Sequence, residues 1–356
     1  MSTRRTGDGD HRVFGLRAQV PRTLGAGRRG RDARSMPRRH VLTDREERLI
    51  VDAAVHAPSV LNTQPWRFSF GDDQLEIWAD PARQLTTADP AGRFMAISCG
   101  AATYNALLGV RYAGHEAWVQ AQPRPQTPFL AAVVHFGVRR PIAADDLARY
   151  DMIAQRHTNR GPYRDWRLPF SLVTRLEEAA EAEGGHIRVL TSSEVERVRH
   201  LVAEAERAQE PDEALEKEME PWIGARDSAD GIPVGALGPR SADSRAPVRD
   251  LDPHRHAGPR DVAIFEHRPT LAVLSTPGDA HKDWVRAGMA LQRVLLTAGQ
   301  HGVVASFLNA PIEELNERGH LRSAAPGLDH PQMVLRLGYP RGEAVPTPRR
   351  PADQVM

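Results

Sequence analysis

The chain has 356 residues, enough for two ordinary domains or one large one. Its 47 Lys+Arg against 46 Asp+Glu leave a formal net charge of +1, so no overall field draws it to nucleic acid or to an anionic membrane. A single cysteine, Cys99, excludes an internal disulfide and cannot alone hold zinc or an iron–sulfur cluster; its small-residue surroundings read as a buried, inert thiol.

No apolar run nears the roughly 20 residues of a membrane span, and no signal-peptide core is visible, so the cytoplasm is the expected compartment. Residues 1–38 are rich in Arg and Gly, lack apolar periodicity and are expected to be a disordered extension, with Met36 as the true start. Gly25-Ala26-Gly27-Arg28-Arg29-Gly30 fits GxGxxG, but without a preceding strand and a following amphipathic helix the match carries no meaning.

From Val41 the chain reads as globular. Thr43-Asp44-Arg45-Glu46 has the form of a capping box, and Leu49, Ile50, Ala53 and Ala54 mark one face of the helix it opens. Pro58 disfavours helical geometry at Ala57 and ends that helix. A polar turn with Ser59, Asn62 and Gln64 follows; it suits the edge of a planar polar ligand, and it also reads as an ordinary loop. A hairpin (66–70 and 75–78), a long small-residue helix (94–114), a buried strand (131–136) and a helix (145–155) complete a first half, 39–150.

The second half, 151–356, opens on Arg156-His157-Thr158-Asn159-Arg160. Two guanidinium forks and a hydroxyl close together match phosphate oxygens; a surface charge cluster paired with local carboxylates is the other reading. A helix (171–182), a strand (186–190) and a helix capped by Ser193-Glu194-Val195-Glu196 come next. Between residues 210 and 260 regular patterning fails; the Pro-rich stretch keeps apolar anchors at Trp222, Ile223, Ile232 and Val234 and reads as a lid. His254 and His256 lack regular ligand spacing and read as solvated, so no metal is expected. Strands at 270–274, 303–308 and 333–337 surround a helix at 283–300, and the chain closes on Pro348-Arg349-Arg350-Pro351.

Together these residues carry a resemblance. Arg156-His157-Thr158-x-Arg160 resembles the Arg-x-Ser/Thr-x-Arg/Lys phosphate motif of flavin nitroreductases, and Ala57-Pro58-Ser59-x-x-Asn62-x-Gln64-Pro65-Trp66 resembles the same family's Pro-Ser-x-x-Asn-x-Gln-Pro-Trp loop. Leu337-Gly338-Tyr339-Pro340 with the following Pro-Arg-Arg-Pro is similar to its C-terminal signature. Ordinary nitroreductases carry the phosphate motif before the loop and build each flavin site between two identical subunits. The reversed order here, with Asp89-Pro90-Ala91-Gly92-Arg93 and the Pro-rich insertion, resembles the internally duplicated Acg-type branch.

The resemblance implies an α+β, nitroreductase-like fold: two similar halves forming an intrachain pseudo-dimer, with helices around mainly antiparallel sheets. It implies one FMN between the halves. Arg156, Thr158 and Arg160, joined by Arg349 or Arg350, would hold the phosphate. Pro58, Ser59, Val60, Asn62 and Gln64 would border the ribityl chain and ring, and Leu308, Asn309 and Ala310 would lie beside the reactive ring nitrogen. NAD(P)H is the implied reductant, with a nitro compound or quinone as acceptor; the alternative is a protein that holds flavin under a closed lid without turnover. Because the flavin performs the redox step, no side-chain acid, base or nucleophile is nominated. The expected partners are a small-molecule redox substrate or the flavin alone, in a monomer containing the pseudo-dimer or in a homodimer.

Overall fold

The computed structural model describes residues 42–209, 212–224, 228–243, 248–254, 256–313 and 315–356. The 1–38 extension, its GxGxxG match and Met36 lie outside them. Helix α1 (Asp44–Val55) starts on the expected capping box: the Glu46 amide donates to Thr43 Oγ1 at 3.3 Å, and the Thr43 amide donates to Glu46 Oε2 at 2.8 Å. Strands β1 (Trp66–Phe70) and β2 (Gln74–Ala79) form the hairpin, α2 (Arg93–Tyr112) crosses behind it, and β3 (His115–Ala121) and β4 (Leu130–Arg139) complete an antiparallel sheet of order β1-β2-β4-β3 before α3 (Ala144–Asp151).

The second sheet repeats this plan. Helix α4 (Phe170–Glu181) and β5 (His186–Val189) are followed by α5 (Ser192–Gln209), α6 (Glu213–Met219) and a two-stranded ladder of β6 (Arg240–Ser241) with β7 (Val262–Ala263). Then come β8 (Thr270–Thr276), α7 (His281–Gly299), β9 (Val304–Phe307), α8 (Ala310–Glu313), α9 (Leu315–Ala324) and β10 (His330–Gly338). The sheet order is β5-β8-β10-β9, again antiparallel and again first-second-fourth-third along the chain. With α5, α6 and the small ladder set aside in one connection, and α8 and α9 in another, both sheets share the succession helix, strand, strand, helix, strand, strand.

The two layers meet along α2 and α7, and the contact is reciprocal. A Cβ added at Gly100 would lie 2.0 Å from the Val285 carbonyl oxygen, and one added at Gly288 would lie 1.9 Å from the Ile97 carbonyl oxygen. Only glycine lets the two backbones come this close. The helices also trade side chains: Phe94 and Ile97 of α2 pack into the core under β8 and β10, while Val285 and Met289 of α7 pack into the core under β1–β4. At its start α2 is tied across the interface by Arg93, which donates to the Gln332 carbonyl at 2.9 Å and to the Ile312 carbonyl at 2.5 Å.

Local differences from the sequence expectations have readable causes. The box at the head of α5 starts two residues earlier than expected: Thr191, not Ser193, caps it, with its amide donating to Glu194 Oε2 at 2.8 Å. Helix α3 stops at Asp151, four residues short of the expected end, and 152–155 continue as turns. The 210–260 stretch holds the helix α6, whose N-cap Asp212 accepts from the amides of Ala214 and Leu215 at 3.0 Å. Strand β3 and helix α9 were not expected. Polar His115, Glu116 and Gln120 dilute the first, and a polar sequence with Gly319 inside dilutes the second.

Candidate functional site

The end of α1 leads into a tight corner. Ser59 Oγ accepts from the Gln64 amide at 3.0 Å, and Ser98 Oγ of α2 accepts from the Val60 amide at 3.3 Å. Within the corner Leu61, Asn62 and Gln64 have φ of 43°, 56° and 49°. Non-glycine residues held in this left-handed region cost roughly 1–3 kcal/mol each, and such strain persists only where surrounding contacts over-determine it. Here the contacts are explicit. Asn62 donates to the carbonyls of Gly231 at 2.9 Å and Pro348 at 3.1 Å, and accepts from Arg349 Nη1 at 3.0 Å. Gln64 donates to the Ala229 carbonyl at 2.7 Å and accepts from the Arg350 amide at 2.9 Å. Asn62 and Gln64 thus fasten the corner to the insertion and to the C-terminal tail, while Pro58, Ser59, Val60 and Leu61 face a cavity.

The arginine motif runs in extended form beside β9, where Thr158 bridges to Ala305 and the Asn159 amide donates to the Ala305 carbonyl at 3.0 Å. Thr158 and Arg160 line the same cavity as Ser59. Arg160 donates to the Ala236 carbonyl at 2.9 Å, and burial pulls its pKa down to about 10. Arg156 is buried, donates to the His56 carbonyl at 3.0 Å, and is pulled down to about 9, first by burial and then by Arg349. Burial alone takes Arg349 to about 10. His157 falls to about 4, through burial first and then through Arg156, Arg349 and His56. None of Arg156, Arg160 and Arg349 has a carboxylate within ion-pair distance among the described residues. Arg156 Nε, Arg349 Nε and Arg350 Nη1 are buried without any hydrogen-bond partner. Arg349 disfavours the charge of buried Arg156, and the two together call for an anion.

The cavity lies between the layers. Phe94 and Ile97 of α2, Leu291 of α7, and Phe307, Asn309 and Met333 from the second sheet give it a mostly apolar wall. Leu308 is buried beneath and turns instead toward a neighbouring space of about 900 Å3 that shares Arg160. The cavity measures about 120 Å3, with Met219, Val248, Arg249 and Leu251 of the insertion lining and narrowing it. Organic-ligand sites commonly span roughly 300–1,000 Å3, so the insertion has to draw back for a tricyclic ring to enter.

Beyond the bonds from Asn62, Gln64 and Arg160, three further anchors hold the insertion. Glu218 accepts from Thr86 Oγ1 and from the amides of Thr87 and Ala88. Asp230 pairs with Arg83 at 2.9 Å. Arg249 forms a two-pronged pair with Glu313 of α8, its second prong at 3.2 Å. None of these partners was visible in the sequence, since each joins residues tens to more than a hundred positions apart with no local spacing signal. Burial pushes the Cys99 thiol up, and its Sγ lies 3.2 Å from the Pro65 carbonyl, so it is inert. His254 and His256 stand 3.8 and 3.6 Å from Glu216, and among the described residues no group of three or more His, Cys, Asp or Glu could hold a metal ion. No helix among them is long and apolar enough to cross a membrane.

No family model matches the sequence. A putative NAD(P)H nitroreductase of Mycobacterium tuberculosis is 31% identical over 315 residues, covering 87% of this chain and 90% of the relative. A second from the same organism, putative NAD(P)H nitroreductase acg, is 30% identical over 317 residues, covering 86% of this chain and 93% of its own. Among solved structures, the FMN-dependent nitroreductase NfnB from Mycobacterium smegmatis in complex with NADPH overlaps at a TM-score of 0.38 and 15% identity, covering 59% of this chain and 97% of that one.

Proposed function

The chain belongs to the nitroreductase family whose members include putative NAD(P)H nitroreductase acg, and from that premise we propose that it is an FMN-dependent oxidoreductase of the cytoplasm. The observation that carries this reading is a group of arginines with no carboxylate at ion-pair distance among the described residues: Arg156 is buried, Arg349 is half-buried, and half-buried Arg160 lines a two-sided cavity. Arg156 and Arg349, each with an orphaned Nε, and Arg350, with an orphaned Nη1, fit the terminal phosphate. Thr158 and Arg160 continue from that group onto the cavity wall, and Ser59 and Val60 border it from the opposite side. Bound FMN would supply the redox chemistry of two-electron transfer between NAD(P)H and a nitro compound or a quinone. Phe94, Ile97, Leu291 and Phe307 would orient the ring and keep water from it.

In this reading residues 39–150 and 151–356 are diverged copies of one unit, which the shared strand order and the reciprocal glycines of α2 and α7 support. The site then draws its corner from one copy and its cations from the other.

A second reading has its own observation. The insertion covers the cavity and is anchored at several places, which favours a protein that holds flavin without turnover. A visible spectrum of the purified protein, titrated with FMN, tests the common part: Arg156→Ala with Arg349→Ala should fold normally yet stay colourless. Full FMN content in that variant removes the phosphate assignment. Anaerobic mixing of the FMN-loaded protein with NADPH separates the readings, since rapid bleaching supports the enzyme and persistent yellow colour supports holding.

A further inference from the structure

We propose that Arg83 and the 86–88 turn form a recognition strip for a diphosphate-bearing ligand, which the insertion's Glu218 and Asp230 occupy as internal stand-ins. The Thr87 amide donates to Glu218 at 2.8 and 3.0 Å, the Ala88 amide donates at 2.9 Å, and Thr86 Oγ1 donates at 3.1 Å. Successive backbone amides and a hydroxyl converging on one carboxylate make a concavity that selects an oxyanion. Three residues earlier, Arg83 Nη2 meets Asp230 Oδ2 at 2.9 Å, and Gln64 Nε2 meets Asp230 Oδ1 at 3.1 Å. Two carboxylates of one segment, 12 positions apart, therefore fill two adjacent anion-seeking points of a strip only six residues long.

The strip borders the cavity. Leu85 and Ala88 line it, and so does Met219, the neighbour of Glu218. A phosphate that displaced Glu218 would pull Met219 from the cavity wall, so that binding and opening are one event. The pairs are partly solvated, with Arg83 and Asp230 side chains 19% and 26% exposed, a setting in which one anion exchanges readily for another. A diphosphate matches the pair of sites better than a single carboxylate, because guanidinium takes phosphate oxygens bidentately while the amides take a second group. The inference deepens the oxidoreductase reading, since the reductant named there carries such a group; a phosphorylated substrate is the other source of the same chemistry.

The test uses the full chain and isothermal titration with inorganic pyrophosphate and, separately, NADP+. Glu218→Ala with Asp230→Asn should bind pyrophosphate about tenfold tighter than the unaltered protein, and adding Arg83→Gln should cancel the gain. A parallel gain for NADP+ assigns the strip to the dinucleotide, and a gain confined to pyrophosphate assigns it to a phosphorylated substrate. No gain, or a gain that survives Arg83→Gln, overturns the proposal. Should the variants fail to fold, pyrophosphate added to the unaltered protein should raise hydrogen exchange in α6, and unchanged exchange there overturns it equally. Neither readout needs flavin, so a colourless protein that still responds to pyrophosphate would sink the FMN assignment and leave this one standing.

Discussion

Burial first, and then two guanidinium groups and the imidazole of His56, leave His157 little room for a further positive charge. Its pKa, about 4 against an ordinary 6.5, means that the folded chain holds it neutral while the unfolded chain binds a proton. Stability is therefore lost as pH falls from about 6.5 towards about 4. His56, lowered mainly by burial and further by Arg349 and Arg156, adds in the same direction. An anion among the arginines would offset the crowding, so thermal melts should show a steep acid slope without FMN and a shallower one with it. His157→Asn should flatten the flavin-free slope; an unchanged slope would show that the imidazole does not carry it. At this scale the corner and the cation motif were legible because their spacing is local: Ser59, Thr158 and Arg160 do reach one cavity. The roles of Asn62 and Gln64 were not legible, because their partners Gly231, Pro348 and Arg350 lie 169 and 286 positions away.

Between elements, the α2–α7 crossing is the contact with the least tolerance. A methyl group at Gly288 would fall 1.9 Å from a carbonyl oxygen of the facing backbone, which has no side-chain rotation with which to yield. Gly288→Ala should cost about 3 kcal/mol, the upper end for overpacking, and lower the melting temperature of a chain this long by about 4 °C. Gly100→Ala should behave alike, as expected of two positions with matching roles. A melting temperature within a degree of the unaltered protein would show that the helices can slide apart at little cost. The sequence announced a long small-residue helix at 94–114 and a helix at 171–182. What it did not announce was the partner of α2, since a stripe of glycine and alanine fits any helix carrying its complement.

Across the whole molecule, one buried pair joins the segment after the cation motif, the approach to β8 and the second sheet. Arg336 of β10 is fully buried and meets both oxygens of Glu266, at 2.5 and 2.8 Å, while its guanidinium lies 3.6 Å from the centre of the Tyr163 ring. It also donates to the Gly161 carbonyl at 2.9 Å, and Glu266 accepts from the Tyr163 amide at 2.9 Å. Breaking such a pair leaves a buried charge uncompensated, so Glu266→Gln should destabilise the fold by about 3–5 kcal/mol in denaturant titrations. A change under about 1 kcal/mol would show that water reaches the site. Periodicity marked individual helices and strands, and the resemblance implied the α+β class and the antiparallel sheets; this tie was not legible, because nothing near Arg336 in sequence hints at residues 161–163 or 266.

The repeated strand order has a consequence for how the molecule can change. When a twofold contact joins two copies of a polypeptide, every substitution appears twice and both faces must tolerate it. Here Gly100 and Gly288 occupy matching stations yet are encoded separately. One layer is free to keep a strained corner at 61–64 while the other grows a long excursion over it.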